Sequence, residues 1–168
     1  MTTIRVGWVL VAIVVAALGF AGAASAAQEK DRDGRFVAYD DGTVLDTQTR
    51  LMWAARDNGK DVDWTGAQSY CEAYREGGHT DWRMPSQGEL AGLYDASVRD
   101  AAGLHPATAL ITLTACCLWA SDTCMPMLDL PQTAGYSAIR ISFGTGERVC
   151  WGQSLDRDSR VLPVRFAK

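Results

Sequence analysis

The sequence has few histidines, no surplus of basic charge and none of the short motifs that mark common enzyme classes. Its two histidines, His79 and His105, lack the spacing of a metal-binding pair on a helix. The formal net charge is -4 with both signs interspersed, which disfavours a nucleic-acid partner. There is no Gly-x-Ser-x-Gly motif, phosphate-binding loop or dinucleotide fingerprint. We therefore expect no catalytic residues, no metal and no cofactor.

Residues 1–26 predict a secretory signal peptide. Arg5 precedes an apolar run over residues 6–20, and Ala24, Ser25 and Ala26 form a cleavage site of small residues. A retained membrane anchor is the alternative, because the run extended through the alanines reaches the roughly 18 residues that a spanning helix needs. Cleavage after Ala26 is the favoured interpretation, and it predicts a periplasmic, secreted or cell-surface protein without stable membrane insertion.

The remaining chain of about 140 residues suits one domain with a single sizeable core. Residues 27–34 are polar and unpatterned, so we expect an exposed lead-in followed by a domain over residues 35–168. No internal repeat or low-complexity tract interrupts this domain.

Several short β-prone runs with turn residues between them predict strands. The first group is a meander of three strands, over residues 36–39, 43–46 and 51–54. The second group comprises residues 117–120, 136–143, 148–151 and 160–166. Pro163 favours an edge position or a bulge for the last of these strands.

Two short helices are predicted between the groups of strands. Asp63 can cap the first helix, in which Ala67 and Cys71 share one face with two aromatic residues. Ser86 and Glu89 form a capping box that begins the second helix. Strands, two helices and then strands predict an α+β fold, with the helices segregated from an antiparallel sheet. We expect irregular structure over residues 98–113 and a surface loop over residues 121–135.

The five cysteines all follow the leader, and an exported chain meets an oxidising compartment in which thiols pair. They are Cys71, Cys116, Cys117, Cys124 and Cys150. At most two bridges can form, and the residues alone do not select the pairing. We expect the adjacent pair to point in different directions, because a bond between neighbours requires unusual peptide geometry. A zinc site built from Cys116, Cys117 and Cys124 is less favoured, since export favours disulfides over thiolate ligands.

A set of short motifs in a fixed order extends over nearly all of the mature chain. The motifs are Asp41-Gly42-Thr43-Val44, Asp46-Thr47, Leu51-Met52-Trp53, Trp64, Ala67, Tyr70-Cys71, Gly78, Asp81-Trp82-Arg83-Met84-Pro85-Ser86, Glu89-Leu90, Trp119-Ala120-Ser121, Phe143, Gly146 and Pro163-Val164-Arg165. Together they resemble the Lcl C-terminal domain family, which takes its name from a collagen-like bacterial adhesin.

The resemblance implies a C-type-lectin-like fold, with two short helices flanking a curled antiparallel sheet and long irregular loops. It also implies export, an association with bacterial surfaces or extracellular polysaccharide, and no established catalytic activity. Calcium-dependent sugar binding in this fold class uses a Glu-Pro-Asn or Gln-Pro-Asp loop and a Trp-Asn-Asp strand. Neither motif is present, so we expect any sugar binding to be independent of calcium.

Two residues depart from the family pattern. Arg50 stands where the family usually has glycine, and Pro163 stands where many members have a cysteine. The second departure leaves Cys71 without its usual partner. The resemblance therefore implies Cys116 or Cys117 as the replacement partner of Cys71, with Cys124 and Cys150 forming the second bridge.

The favoured function is non-catalytic binding of a polysaccharide or a cell-surface partner. Trp151 could form a carbohydrate platform with four nearby polar residues, although a strand-end aromatic more often packs in the core. The candidate ligand-binding residues are Arg148, Trp151, Gln153, Asp156 and Arg157. A polyanionic ligand would also require a cluster of basic residues, for which Arg140, Arg148, Arg157 and Arg160 are the candidates.

The other tryptophans of the domain are most simply core residues. They are Trp53, Trp64, Trp82 and Trp119. Arg83 is expected to donate hydrogen bonds to backbone carbonyls rather than to a ligand. Residues 70–90 therefore identify the fold. We expect ligand contacts in residues 121–135 and 151–160 instead.

The sequence leaves two alternative functions open. One is a thiol or disulfide redox enzyme that uses Cys116 and Cys117. The other is a structural component of an envelope assembly, which would form oligomers.

Overall fold

A five-stranded antiparallel sheet forms one half of the fold. The computed structural model describes residues 27–125 and 136–168, so the predicted signal peptide lies outside the described residues. The strands of the first sheet are β1 (Glu29–Asp33), β2 (Phe36–Tyr39), β3 (Thr43–Asp46), β4 (Leu51–Ala54) and β9 (Val164–Phe166). Their order is β1-β2-β3-β4-β9, so the predicted meander is confirmed and the C-terminal strand joins it at β4.

The expected lead-in over residues 27–34 is exposed, but it is not irregular. Strand β1 pairs with β2 in a register that places Asp33 opposite Phe36. All five residues of β1 are exposed, so the sequence does not show there the alternation of apolar and polar residues that predicts a strand. The first sheet therefore begins at Glu29, six residues before the boundary that we expected.

The second sheet has four strands in the order β7-β6-β5-β8. Its strands are β5 (Cys117–Cys124), β6 (Ser137–Ser142), β7 (Arg148–Gly152) and β8 (Ser159–Arg160). Strand β8 runs parallel to β5, so the sheet is mixed rather than purely antiparallel. Strand β5 continues through Ser121 to Cys124, where a surface loop was expected. The rest of that expected loop, residues 126–135, lies outside the described residues.

The predicted last strand over residues 160–166 is divided between the two sheets. Arg160 ends β8 in the second sheet, whereas Val164 begins β9 in the first. Pro163 lies at the break, and its carbonyl accepts a hydrogen bond from the Ala54 amide at 3.0 Å. Because proline has no amide hydrogen, Pro163 cannot donate a hydrogen bond to a neighbouring strand. The strand therefore stops there and resumes at the edge of the other sheet.

Both predicted helices are confirmed, together with their caps. Helix α1 (Trp64–Ala73) begins at Asp63, whose Oδ1 accepts from the Gly66 amide at 2.7 Å. Helix α2 (Gln87–Gly92) begins with the capping box. In it, Ser86 Oγ accepts from the Glu89 amide at 3.3 Å and Glu89 Oε2 accepts from the Ser86 amide at 2.7 Å. Over the residues that the structure describes, the protein is thus a mixed α+β fold with two helices and two curled sheets.

The core has two parts, one on each face of the second sheet. The larger part lies between the first sheet, α2 and one face of the second sheet, and it includes Trp53, Leu90, Leu118, Phe143 and Leu162. The smaller part lies between α1 and the opposite face, and it consists of Ala67, Cys71, Met84, Trp119, Ala138 and Val161. Burial of Trp53, Trp82 and Trp119, with Trp64 packed against the smaller part, confirms the core assignment of the four tryptophans.

Arg83 connects the segment between the helices to the C-terminal strand. Its amide and carbonyl both pair with Val164, at 2.9 and 3.0 Å. Its guanidinium donates to both carboxylate oxygens of Glu89, at 2.8 and 2.6 Å, and to the Met84 carbonyl at 3.1 Å. The expected bond from Arg83 to a backbone carbonyl is thus present at Met84, but most of its guanidinium hydrogen bonds go to the Glu89 carboxylate, which the sequence analysis did not predict.

We predict that Arg50→Gly stabilises the protein by about 0.5–1 kcal/mol. Arg50 has a φ of 60° in the turn between β3 and β4, a left-handed conformation that costs a non-glycine residue about 1–2 kcal/mol. Glycine removes this cost but loses about 0.5–1 kcal/mol through the greater entropy of the unfolded chain. Urea unfolding measures the change. Arg50→Ala is the control, because it keeps the unfavourable φ, and an equal gain in that variant would refute the explanation.

The Glu89 carboxylate predicts a pH-dependent part of the stability. Burial raises the pKa of Glu89, but hydrogen bonds from Arg83 and Ser86 outweigh burial and hold this pKa below its ordinary value. A lowered pKa in the folded state gives stability that is present above the ordinary glutamate pKa, about 4.3, and is lost as the pH falls through the folded value.

We therefore expect Glu89→Gln to lower the free energy of unfolding by about 1–3 kcal/mol at pH 7, because the half-buried Arg83 loses a charged partner. The difference from wild type should shrink as the pH falls from about 5 towards 3. Unfolding at a series of pH values tests this expectation, and a difference that stays constant with pH would contradict it.

Candidate functional site

The structure does not bring the five predicted ligand-binding residues onto one surface. Arg148 and Trp151 are three positions apart on β7, so their side chains point to opposite faces of the sheet. The Arg148 guanidinium contacts the Gln87 side chain at the start of α2. Trp151 packs against the smaller core part, under α1. Arg148 therefore cannot share a platform with Trp151.

Trp151 and Gln153 instead share a face with two residues of the β6 segment, Tyr136 and Arg140. Ala138 is paired with Trp151, and the Gln153 amide extends this ladder by donating to the Tyr136 carbonyl at 2.9 Å. Alternation along the two segments places all four side chains on the face that α1 partly covers. We call these four residues the Tyr136 surface. Tyr136 is 82% exposed and is its most accessible aromatic ring.

The Arg140 guanidinium stacks on the face of the Trp151 ring. It lies 3.9 Å from the centre of the ring, a cation–π contact. Arg140 Nη1 also donates to the Arg157 carbonyl at 3.2 Å and to Ser159 Oγ at 3.0 Å. Burial lowers the pKa of Arg140, because desolvation disfavours the charged form. These contacts join the Trp151 ring to the loop between β7 and β8.

Asp156 and Arg157 lie on that loop, and both are exposed. Arg157 pairs with its neighbour Asp158 at 3.8 Å, and because both side chains are strongly exposed this pair adds little stability. Asp158 has a φ of 52°, so the loop turns sharply just after Arg157. The loop thus contacts the Tyr136 surface through the Arg157 carbonyl, which accepts from Arg140.

The four arginines considered for a polyanionic ligand do not form a cluster. Arg148 lies on the opposite face from Arg140, as β7 alternation requires. Arg160 forms an ion pair with Asp61 and donates to Thr114 Oγ1 at 3.0 Å. Arg157 presents its carbonyl, not its guanidinium, to Arg140. The arrangement gives no argument for a polyanion.

The cysteine pairing agrees with one expectation and corrects two others. Cys124 and Cys150 form a disulfide between β5 and β7, as the family resemblance implied. Cys116 and Cys117 are bonded to each other, so the expectation that they point in different directions is wrong. Cys71 is the free cysteine among the described residues. The predicted bridge from Cys71 to Cys116 or Cys117 is therefore also wrong, because α1 places Cys71 in the smaller core part, whereas Cys116 packs against the larger one.

The environment of Cys71 makes its thiol unreactive. Cys71 is fully buried, and burial raises its pKa above the ordinary range, since the thiolate is poorly solvated there. The sulfur therefore acts as a small apolar group in the packing of α1 on the second sheet.

Potential metal ligands do not cluster in the described part of the chain. No group of three or more potential His, Cys, Asp or Glu ligands occurs within residues 27–125 and 136–168. His105 contacts the Val98 carbonyl, and His79 lies beside Trp82 with ring centres 6.4 Å apart. Over the same ranges, no helix is long and apolar enough to cross a membrane.

The architecture and its site define a small disulfide-linked α+β domain with an exposed aromatic surface. The family model of the Lcl C-terminal domain matches residues 42–165, and the chain belongs to this family. A search of curated proteins found no match.

Two residues of the Tyr136 surface were missed as ligand-contact candidates. Tyr136 was assigned only to a strand, and Arg140 only to a possible basic cluster. The alternation of residues 136–143 contained the necessary signal, because Tyr136, Ala138 and Arg140 share one face. Which residues of β7 lie beside them depends on register, and register cannot be read from either strand alone.

We predict that native, oxidised protein does not react with iodoacetamide, whereas urea-unfolded protein gains a single label at Cys71. The reason is the burial and raised pKa of that thiol. Mass spectrometry of proteolytic peptides reads out both the label and the bridges. Native labelling of Cys71, or a peptide in which Cys71 is linked to Cys116 or Cys117, would contradict the assignment.

Proposed function

We propose that this protein is an exported, non-catalytic binding domain that recognises polysaccharide through the Tyr136 surface. The observation that carries the proposal is the exposed Tyr136 ring beside Gln153 and the Arg140-supported Trp151. Sugars bind such surfaces because their C–H faces pack on aromatic rings while their hydroxyl groups take hydrogen bonds from flanking polar groups. Family membership supports an adhesin-like rather than a catalytic role.

The fold and the compartment form part of the same proposal. Two helices beside two curled sheets support a C-type-lectin-like architecture. Cysteine pairs at bonding distance support an oxidising compartment, in keeping with a cleaved leader and a periplasmic, secreted or cell-surface location in a bacterium. Binding is independent of calcium, since the sequence lacks the calcium motifs of lectins.

The proposed function predicts a specific effect of Tyr136→Ala. We expect this variant to bind bacterial exopolysaccharide about three- to tenfold more weakly, the effect of losing one aromatic contact. The readouts are a glycan array followed by titration with the polysaccharide that binds best. Tyr136 is exposed, so its removal leaves the core intact.

Arg148→Ala is the matched control, because Arg148 lies on the other face of β7 and contacts Gln87. We expect no loss of binding in this variant, and none in wild type when calcium is removed with a chelator. If wild type binds no polysaccharide on the array or in a pull-down, the proposed function is wrong. If both variants lose binding equally, the Tyr136 surface is not the site.

A thiol or disulfide exchange enzyme is the second candidate, and the bonded pair of Cys116 and Cys117 is the observation that favours it. In such a reaction a dithiol substrate would lose two electrons and two protons and become a disulfide, while Cys116 and Cys117 would become two thiols. Oxidation of a small dithiol peptide by the wild type but not by Cys116→Ser would support this candidate. If one equivalent of oxidised wild type does not oxidise the peptide, this candidate is wrong.

A further inference from the structure

The bond between Cys116 and Cys117 lies at the start of β5, where the second sheet meets the surface. Cys117 is buried and pairs with Ser142 of β6 and with Ser159 of β8. Cys116 precedes the strand and is partly exposed, and the contact that its sulfur makes lies at the surface. A reagent in solution therefore reaches the bond from the Cys116 side.

This bond contributes little to the stability of the fold. In the chain-entropy account, a disulfide stabilises by closing a loop in the unfolded chain, and the effect grows with loop length. Cys116 and Cys117 are adjacent, whereas Cys124 and Cys150 are 26 residues apart. Folding in turn protects a loop-closing bond against reduction, because the two effects belong to one thermodynamic cycle. The adjacent bond lacks this protection, so it can open while the other bridge and the fold persist.

The two cysteines contact consecutive residues at the end of the loop between β7 and β8. We call residues 153–158 the β7–β8 loop. Cys116 Sγ lies 4.0 Å from the carbonyl oxygen of Asp158, the last residue of this loop, and Cys117 pairs with Ser159. Asp158 has a φ of 52°, a left-handed conformation that is unfavourable for a residue with a side chain. The disulfide thus touches the loop at its strained residue.

The same part of the loop fixes the Arg140 side chain. Arg140 Nη1 donates to the Arg157 carbonyl and to Ser159 Oγ, and Ser159 Oγ donates to the Arg157 carbonyl at 3.2 Å. The guanidinium fixed in this way is the one that stacks on Trp151. Both acceptors of Arg140 therefore flank Asp158, the residue that the disulfide contacts. A shift of Asp158 moves the groups on which the Arg140–Trp151 stack depends.

Opening the bond requires a movement of Cys116. Two sulfurs that are no longer bonded separate to van der Waals contact, which is a longer distance than a covalent bond. Cys117 is held by burial and by its pairing in β5, so Cys116 is the residue that moves. Its sulfur already contacts the Asp158 carbonyl, so the movement changes the packing against the β7–β8 loop. Asp158 can then leave its left-handed conformation.

We propose that the Cys116–Cys117 bond is a reversible redox site that a dithiol reductant opens, and that opening it releases the Arg140–Trp151 stack of the Tyr136 surface. A thiolate of the reductant attacks the Cys116 sulfur, and Cys117 leaves as a thiolate and takes up a proton. The second thiolate of the reductant then attacks its own sulfur in the mixed disulfide and releases Cys116, which is protonated in turn. The reductant loses two electrons and two protons and becomes a disulfide, while the protein gains two thiols.

The redox site gives the Tyr136 surface two states. In the oxidised state the β7–β8 loop holds Arg140 over the Trp151 ring, and in the reduced state this support is lost. Weaker saccharide binding by the reduced protein rests on the proposed function, whereas release of the loop does not. The role also differs from that of an exchange enzyme, because the change occurs in the protein's own loop and not in a substrate.

The first part of the test identifies the bond that opens. Native protein is treated with increasing dithiothreitol, quenched with acid, unfolded and labelled with iodoacetamide, and the labels are mapped by mass spectrometry. We expect Cys116 and Cys117 to become labelled at dithiothreitol concentrations at least tenfold lower than Cys124 and Cys150. Cys71 is labelled after unfolding at every concentration and serves as the internal reference. Opening of Cys124–Cys150 at the same or a lower concentration would contradict the proposal.

The second part measures the β7–β8 loop and the stack. The Arg157 side chain is 89% exposed, and we expect trypsin to cleave after Arg157 at least threefold faster in the reduced protein. The Trp151 indole N–H signal should shift in a ¹⁵N-correlated NMR spectrum, with Trp151→Phe used to assign it. Binding of bacterial exopolysaccharide should weaken at least threefold. Reoxidation with a small disulfide should reverse all three changes.

The double variant Cys116→Ser/Cys117→Ser is the matched control. It cannot form the adjacent bond, but it retains Cys124 and Cys150. We expect it to resemble reduced wild type before dithiothreitol is added and to show no further change at the concentrations that open the bond in wild type. A response equal to that of wild type would assign the effect to another group and overturn the proposal.

Unchanged cleavage after Arg157 together with an unchanged Trp151 signal in reduced wild type would also overturn the redox site. If oxidised protein still binds polysaccharide through Tyr136 in that case, the proposed function stands. If the loop and Trp151 respond to reduction but neither state binds polysaccharide, the redox site is supported and the proposed function is wrong.

Discussion

The position of Arg83 is the constraint on which much of the structure depends. Its backbone pairs with Val164 in β9, and its side chain pairs with Glu89 at the start of α2. One residue thus fixes the C-terminal strand and the second helix relative to each other. Because Glu89 also caps α2, the same carboxylate that begins the helix sets its position against the first sheet. A groove lined by residues of this helix and this strand is a direct result.

The local parts of the fold could be predicted because short-range chemistry determines them. Asp63 caps α1, the capping box begins α2, and the meander follows from alternating β-prone runs and turns. The parts that could not be predicted depend on distant partners. Strand β1 has no buried side chain, and the parallel pairing of β8 with β5 joins segments that are about 40 residues apart. The bond between Cys116 and Cys117 likewise contradicts an argument from general peptide geometry.

The candidate site was predicted in part for the same reason. Trp151 and the loop after it were correctly placed near one another, because they are adjacent in sequence. Arg148 was included on the basis of proximity in sequence, although strand alternation assigns it to the opposite face. The support that Arg140 gives to Trp151 depends on the register between β6 and β7.

Strand β1 has a consequence for how this family can diverge. It contributes backbone hydrogen bonds to β2, while every one of its side chains faces solvent. Within the described chain, only Asp33 has a partner in the buried part of the fold, since its carboxylate accepts from the Thr108 hydroxyl at 2.8 Å. Substitutions elsewhere in β1 encounter no packing requirement, so the strand can persist while its sequence drifts. The match to the family begins at residue 42, after this strand. The charged side chains of β1 also discourage a second chain from adding to the open edge of the sheet, which protects a crowded population of such domains from aggregation.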